Sequence, residues 1–159
     1  YRTPAFPSST QHPTGLKYSN IGSADLPNTR GGGGGGAGGG GGPNQDGSIT
    51  TPAAPGGAGR AFPSFPAPVL APAIPSPVRP NWTPAVGPTG LFGGGGAGYN
   101  SPGTVPRAPG GGGEWRDPTG SATISGGVDY TGGGGAGPNP GPGAGGHGIV
   151  IVTYPTEST

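Results

Sequence analysis

Residues 31–42 read GGGGGGAGGGGG, glycine throughout except for Ala37. Glycine loses more backbone freedom on ordering than any other residue. An ordered run therefore needs nearly every N–H and C=O paired. Collagen would meet that need with glycine at each third position, but GPNPGPGAGG at 137–146 breaks the triplet. The remaining solution is a set of polyglycine II helices lying side by side, close enough for backbone to bond backbone because no Cβ intervenes. Such a run spans roughly 37 Å at the polyproline II rise. A loose linker is the competing reading. The expected fold class is therefore irregular and almost free of helix. It consists of polyglycine II and polyproline II segments packed in layers, with one short C-terminal β-strand.

Composition points the same way. The chain has 42 glycines and 24 prolines in 159 residues, only 28% apolar residues, and a net charge of +1 with 8% charged residues. Apolar side chains are too few for an ordinary core, and the charge is too low for a self-repelling coil. Backbone hydrogen bonds and neighbouring subunits are the expected sources of order. An isolated monomer is expected not to fold stably, since ordering costs about 1–2 kcal/mol per residue for the backbone alone. Cysteine is absent, which removes disulfides and thiolate metal sites. No apolar run approaches the length of a membrane span. The scattered basic residues form no footprint for nucleic acid. The opening YRTPAF, without Met, reads as a processed or excised piece.

The glycines repeat. PTG occurs at Pro13–Gly15, Pro88–Gly90 and Pro118–Gly120, and each copy is followed by GGGGAG, at 33–38, 93–98 and 132–137. Apolar or aromatic residues stand between: Leu16 and Tyr18, Leu91 and Phe92, Ile124 and Tyr130. The pattern reads as degenerate units, each an anchoring segment followed by a glycine run. Three parts of one co-assembled unit follow. Residues 1–60 hold the first anchor and run, 61–90 form a proline-rich arm, and 91–159 hold the later runs and the strand.

The arm, AFPSFPAPVLAPAIPSPVRPNWTPAVGP at 61–88, contains nine prolines. Proline fixes φ and lacks an N–H, so polyproline II is expected and a helix is not. Phe62 and Phe65 then share one edge of a threefold helix. Its PxxP spacings also fit a ligand for an SH3-type groove, though a structural arm laid along another subunit is the preferred reading.

No catalytic constellation is legible. His12 and His147 have no acidic or thiol neighbour in sequence, and the acids are dispersed. EWRDP at 114–118 reads as a local ion pair beside a turn. No serine elbow, P-loop or dinucleotide fingerprint occurs. The chain is expected not to be an enzyme and to need no cofactor or metal. Ile149–Tyr154, in GIVIVTYP, is the one stretch dense in β-branched and aromatic residues. It is expected to be a strand covered on both faces and paired with another chain or a missing N-terminal portion. Ser121–Ser125 (SATIS) is a weaker strand candidate.

The C-terminal GGGGAGPNPGPGAGGHGIVIVTYPTEST resembles the closing segment of glycine-rich bacteriophage proteins, notably those of cyanophages, with their GGxGIVIVxYP pattern. Gly145, Gly146, Gly148, Ile149, Val150, Ile151, Val152, Tyr154 and Pro155 carry the match. The proline segment and the glycines after it look like a recurring block of the same proteins, so the resemblance runs from about Arg60 onward. Such chains often open with an LVV strand that is absent here. The resemblance implies a virion structural protein of a tail fibre or fibre-tip adhesin, extracellular and homo-oligomeric, contacting a host-surface glycan or protein. Tyr18, Asn44, Trp82, Tyr99, Asn100, Trp115 and Tyr130 are the candidate sugar-contacting residues, with burial in an interface as the competing role. Ile149, Val150, Ile151, Val152 and Tyr154 are the candidate assembly residues. The alternatives are a self-assembling extracellular filament subunit and an ice-binding glycine-rich protein.

Overall fold

A computed structural model of the chain describes residues 20–23, 31–42, 54–98, 103–117, 123–137 and 141–153. The glycine runs bond to one another, and the middle run, 93–98, has neighbours on several sides. Gly95 and Gly98 donate to the carbonyls of Gly57 and Ala54, and Gly94 and Ala97 to those of Gly110 and Gly113. The carbonyls of Gly93 and Gly96 accept from Ala37 and Gly34, and those of Gly94 and Ala97 accept from Gly134 and Gly137. Each neighbour is thus met at every third residue. Gly94–Gly98 are buried, as befits a segment bonded on all these sides. These bonds close within one chain and cross the expected part boundaries, so no second subunit is required to supply them.

Direction follows from the same pairs. Run 93–98 is antiparallel to 31–37 and 54–59 and parallel to 110–113 and 132–137. The repeated alanine consequently has two destinations. Ala97 and Ala136 enter the same buried cluster, with Val105 and Trp115. Ala37, on the reversed run, lies at the other end, where its N–H bonds Gly93 at 2.7 Å. Gly93 and Gly132, the first residues of two repeat copies, both adopt left-handed backbone, at φ 71° and 67°. There a side chain would be strained by its Cβ.

Outside the glycine segments the fold is mostly irregular, with two short helices and small antiparallel sheets. Strand β1 (Arg60–Ala61) pairs with β2 (Leu91–Phe92), Arg60 opposite Phe92. Strands β3 (Gly103–Val105), β4 (Trp115–Asp117) and β5 (Thr123–Ile124) form an antiparallel sheet in that order. β5 lies within the SATIS stretch. The expected ion pair of EWRDP is present, Arg116 Nε to Glu114 Oε1 at 3.9 Å, on the surface.

The proline arm corrects an expectation. Residues 61–88 do not run as a polyproline strap. They fold into α1 (Ala67–Leu70), a 3-10 turn at Ala71–Ala73 and α2 (Arg79–Val86). Pro68, Pro72 and Pro80 occupy first turns, where the missing N–H has no intrahelical acceptor to satisfy. Pro84 alone sits inside a helix, and its ring is exposed. Gly87 ends α2 by donating to the Thr83 carbonyl at 2.9 Å, at φ 61°. The helices press Ala67, Ile74, Trp82, Ala85 and Val86 onto Val128, with Phe92, Tyr130 and Ile149 around them. Two apolar clusters therefore close the two ends of the glycine runs. Phe92 and Tyr130 precede their runs into the first cluster, while Ala97 and Ala136 end in the second.

Candidate functional site

At the first cluster's end a surface groove of about 390 Å³ opens. It is lined by Phe62, Phe65, Phe92, Ile149 and Ile151, together with Ala37, Thr131 and the glycines at 93, 132 and 148. The pairing of β1 with β2 sets Phe62 against Phe92, ring centroids 6.2 Å apart in an edge-on arrangement. Phe62 and Phe65 do share an edge, but through a turn in which Phe65 N–H bonds the Phe62 carbonyl at 2.8 Å. The three glycines contribute no side chain to the lining. Thr131, the one polar residue in the lining, is buried and occupied internally. Its Oγ1 donates to the Val128 carbonyl at 2.6 Å and accepts from Gly133 N–H at 3.1 Å. Such a groove offers hydrocarbon contact and no acid–base group.

The C-terminal segment departs from the strand expected for it. Residues 149–153 join no sheet and make no backbone hydrogen bond to another described residue. Nor are both faces covered. Ile149 and Ile151 turn into the groove, while Val150 and Val152 are 89% and 76% exposed. The alternation is that of an extended chain covered on one face. Consecutive β-branched residues specify extension, but only the neighbouring layers decide how many faces are buried. Tyr154, the last candidate assembly residue, lies outside the described residues.

The candidate sugar-contacting rings fare differently. Trp82 and Trp115 are wholly buried, so neither is available to a ligand. Trp82 lies tilted against Phe92, ring centroids 6.5 Å apart, and donates from Nε1 to the Tyr130 carbonyl at 3.1 Å. Trp115 fills the second cluster beside Ala97, Val105 and Ala136. The physical reason is area: with so few large apolar residues, a tryptophan left in water forfeits the burial the fold most needs. Tyr130 is half-buried and holds φ at 61°, the one described non-glycine residue with positive φ. Tyr18, Asn44, Tyr99 and Asn100 lie outside the described residues. The structure thus brings Trp82, Tyr130 and Ile149 together at the first cluster, with Ile151 beside Ile149 in the groove, and places Trp115 in the second cluster and Val150 and Val152 in solvent.

His147 acquires an acidic neighbour that the sequence did not disclose. Its backbone N–H and its Nδ1–H both donate to Asp129 Oδ1, at 3.2 and 2.6 Å. The backbone bond first, and then the imidazole, hold the Asp129 carboxyl below its ordinary value of 3.8. A carboxyl depressed in the folded state stabilises the fold above its unfolded pKa and loses that contribution as the pH falls through the folded one. Both side chains are well exposed, at 82% and 42%, so solvent keeps the contribution small. Asp129→Asn is expected to lower the melting temperature slightly at about pH 6, with the difference closing towards about pH 3. Equal differences in melts at both pH values would remove the pair from the stability account.

Among the described residues no group of His, Asp and Glu is placed to hold a metal ion, and no helix is long and apolar enough to cross a membrane. No protein-family model, curated protein or solved structure matches the chain.

Proposed function

We propose that this chain is a non-enzymatic structural subunit of a phage tail fibre or fibre-tip adhesin, built as a polyglycine II sandwich and used at the host surface. The observation that carries the reading is the recurrence of cross-bonds at every third residue of run 93–98. Three residues per turn is the repeat of the polyglycine II helix, whose backbone can bond neighbours on all sides. A stack of this kind is stiff and nearly devoid of side chains, so recognition falls to the loops and ends that it displays. The glycine-rich phage proteins that the sequence resembles supply the biological setting.

The C-terminal segment, unpaired among the described residues, supplies the assembly edge. Free N–H and C=O groups beside exposed valines are a template for strand addition. Val150→Asp with Val152→Asp is expected to abolish self-association while leaving the fold intact, since both side chains point into solvent. Sedimentation velocity of the parent and the double variant measures this, and unchanged association refutes the edge.

The reading as a whole is tested by gold-labelled antibody against this chain on particles from its source. Label on tail fibres supports it. Label on filaments free of virions supports the alternative, an extracellular filament subunit. Label on neither overturns both.

A further inference from the structure

A second cleft, of about 360 Å³, lies between α2 and residues 125–129, away from the apolar groove. Pro77 and Val78 give it an apolar side, and Asn81, Arg107 and Asp129 give it polar ones. Arg107 is half-buried, and its partners among the described residues are all neutral acceptors. Its Nη1 donates to the carbonyls of Gly112 and Gly126, at 3.3 and 3.4 Å, and its Nη2 donates to Ser125 Oγ at 3.3 Å. Among the described residues no carboxylate comes within ion-pair distance of it. A guanidinium has five N–H donors. Among the described residues the Nε–H and one N–H of Nη2 are therefore left over. The same cation also lines an adjoining cleft of about 300 Å³, again with Asn81.

The flanking groups narrow what would answer that cation. Asn81 is exposed and its amide has no partner among the described residues, so it can both donate and accept. Asp129 has Oδ1 engaged by His147, which leaves Oδ2 to accept. A phosphate or sulfate would bring high charge density against Asp129. A neutral sugar would leave the half-buried cation unanswered. A singly charged carboxylate carried on a polyhydroxylated ring meets all three groups. It offers two oxygens to the fork of Arg107 and hydroxyls to Asn81 and Asp129. The cleft lies at the small end of the range that holds organic ligands, the size class of a sugar unit.

We propose that this cleft binds an acidic saccharide, with a hexuronate carboxylate on Arg107 and ring hydroxyls on Asn81 and Asp129. The proposal rests on the host-surface reading for its biological meaning and names the class of glycan that reading leaves open.

The test is calorimetric titration of the whole chain with galacturonate, glucuronate and mannuronate oligosaccharides. A neutral galactose oligosaccharide of equal length and sodium sulfate serve as comparisons. Saturable binding of at least one uronate is expected, with the neutral sugar and sulfate each weaker by about tenfold or more. Asn81→Ala, which removes no bond within the described fold, is expected to weaken uronate binding about tenfold, and Arg107→Gln to abolish it. Melting curves establish that each variant is folded, and Asn81→Ala decides the matter if Arg107→Gln is not. No uronate binding, equal binding of the neutral sugar or of sulfate, or uronate binding indifferent to Asn81→Ala each overturns the proposal. The two readings fail separately. Uronate binding without any gold label on virions or filaments removes the fibre reading and leaves the site. Labelled tail fibres without uronate binding do the reverse.

Discussion

Gly96→Ala is expected to lower the melting temperature by about 10 °C or more, whereas Gly39→Ala leaves it unchanged or raises it slightly. A Cβ on Gly96 would fall on the carbonyl oxygen of Gly135, with the Ala136 nitrogen only 3.1 Å away. Both obstacles are backbone and cannot swing aside as a side chain would. Runs 93–98 and 132–137 would have to separate, stretching the bonds from Gly134 to Gly94 and from Gly137 to Ala97. Overpacking of this kind costs about 1–3 kcal/mol, and more where the neighbour is rigid, out of a typical stability of about 5–15 kcal/mol. At Gly39 the nearest atom to a Cβ is the Ala58 nitrogen, at an ordinary 3.8 Å. There the smaller entropy of the unfolded chain favours alanine by about 0.4–1 kcal/mol. Scanning calorimetry of the two variants reads opposite signs. Equal melting temperatures would mean that the runs do not lie at bonding distance.

Trp82→Ala is expected to destabilise the fold by about 3–5 kcal/mol, and Trp82→Phe by appreciably less. The indole is fully buried between α2 and the first cluster, against Val86, Ile74 and Val128. Few other large side chains exist to refill the space. Phenylalanine retains much of the ring volume but strands the Tyr130 carbonyl, which accepts from Nε1 at 3.1 Å. That acceptor belongs to the residue held at φ 61°, so the bond secures a turn that a tyrosine does not adopt by preference. Denaturant melts of the three proteins rank them. In Trp82→Phe the remaining fluorescence comes from Trp115, which reports whether the second cluster survives. If Trp82→Ala melts like the parent, the proline arm is not docked on the glycine runs.

Much of this was legible in the residues. An all-glycine run leaves no source of order except its backbone, so pairing between runs could be expected from GGGGAG alone. The scarcity of apolar side chains excluded an ordinary core, EWRDP disclosed its ion pair but not the strand at Trp115–Asp117, and SATIS disclosed its strand. Prolines misled, because their effect depends on position within a turn. Pro68, Pro72 and Pro80 are harmless in first turns, and a count of prolines carries no register. The clefts were also out of reach. Arg107, Asn81 and Asp129 are far apart in sequence, as are Phe62 and Ile151, and no spacing links them.

The amino-acid sequence by itself determined that these glycines must bond backbone to backbone, and that the segments between them must provide all the apolar contact. Only the tertiary structure decided which run meets which, in which direction, and that one chain suffices to pair them. A glycine run has no side chains with which to encode a partner or a register. Those choices pass to the loops, to the left-handed entries at Gly93 and Gly132, and to the two tryptophans. Direction in turn sends Ala97 and Ala136 to one end and Ala37 to the other. Identical hexapeptides thus do different work because the chain crosses the stack in opposite senses.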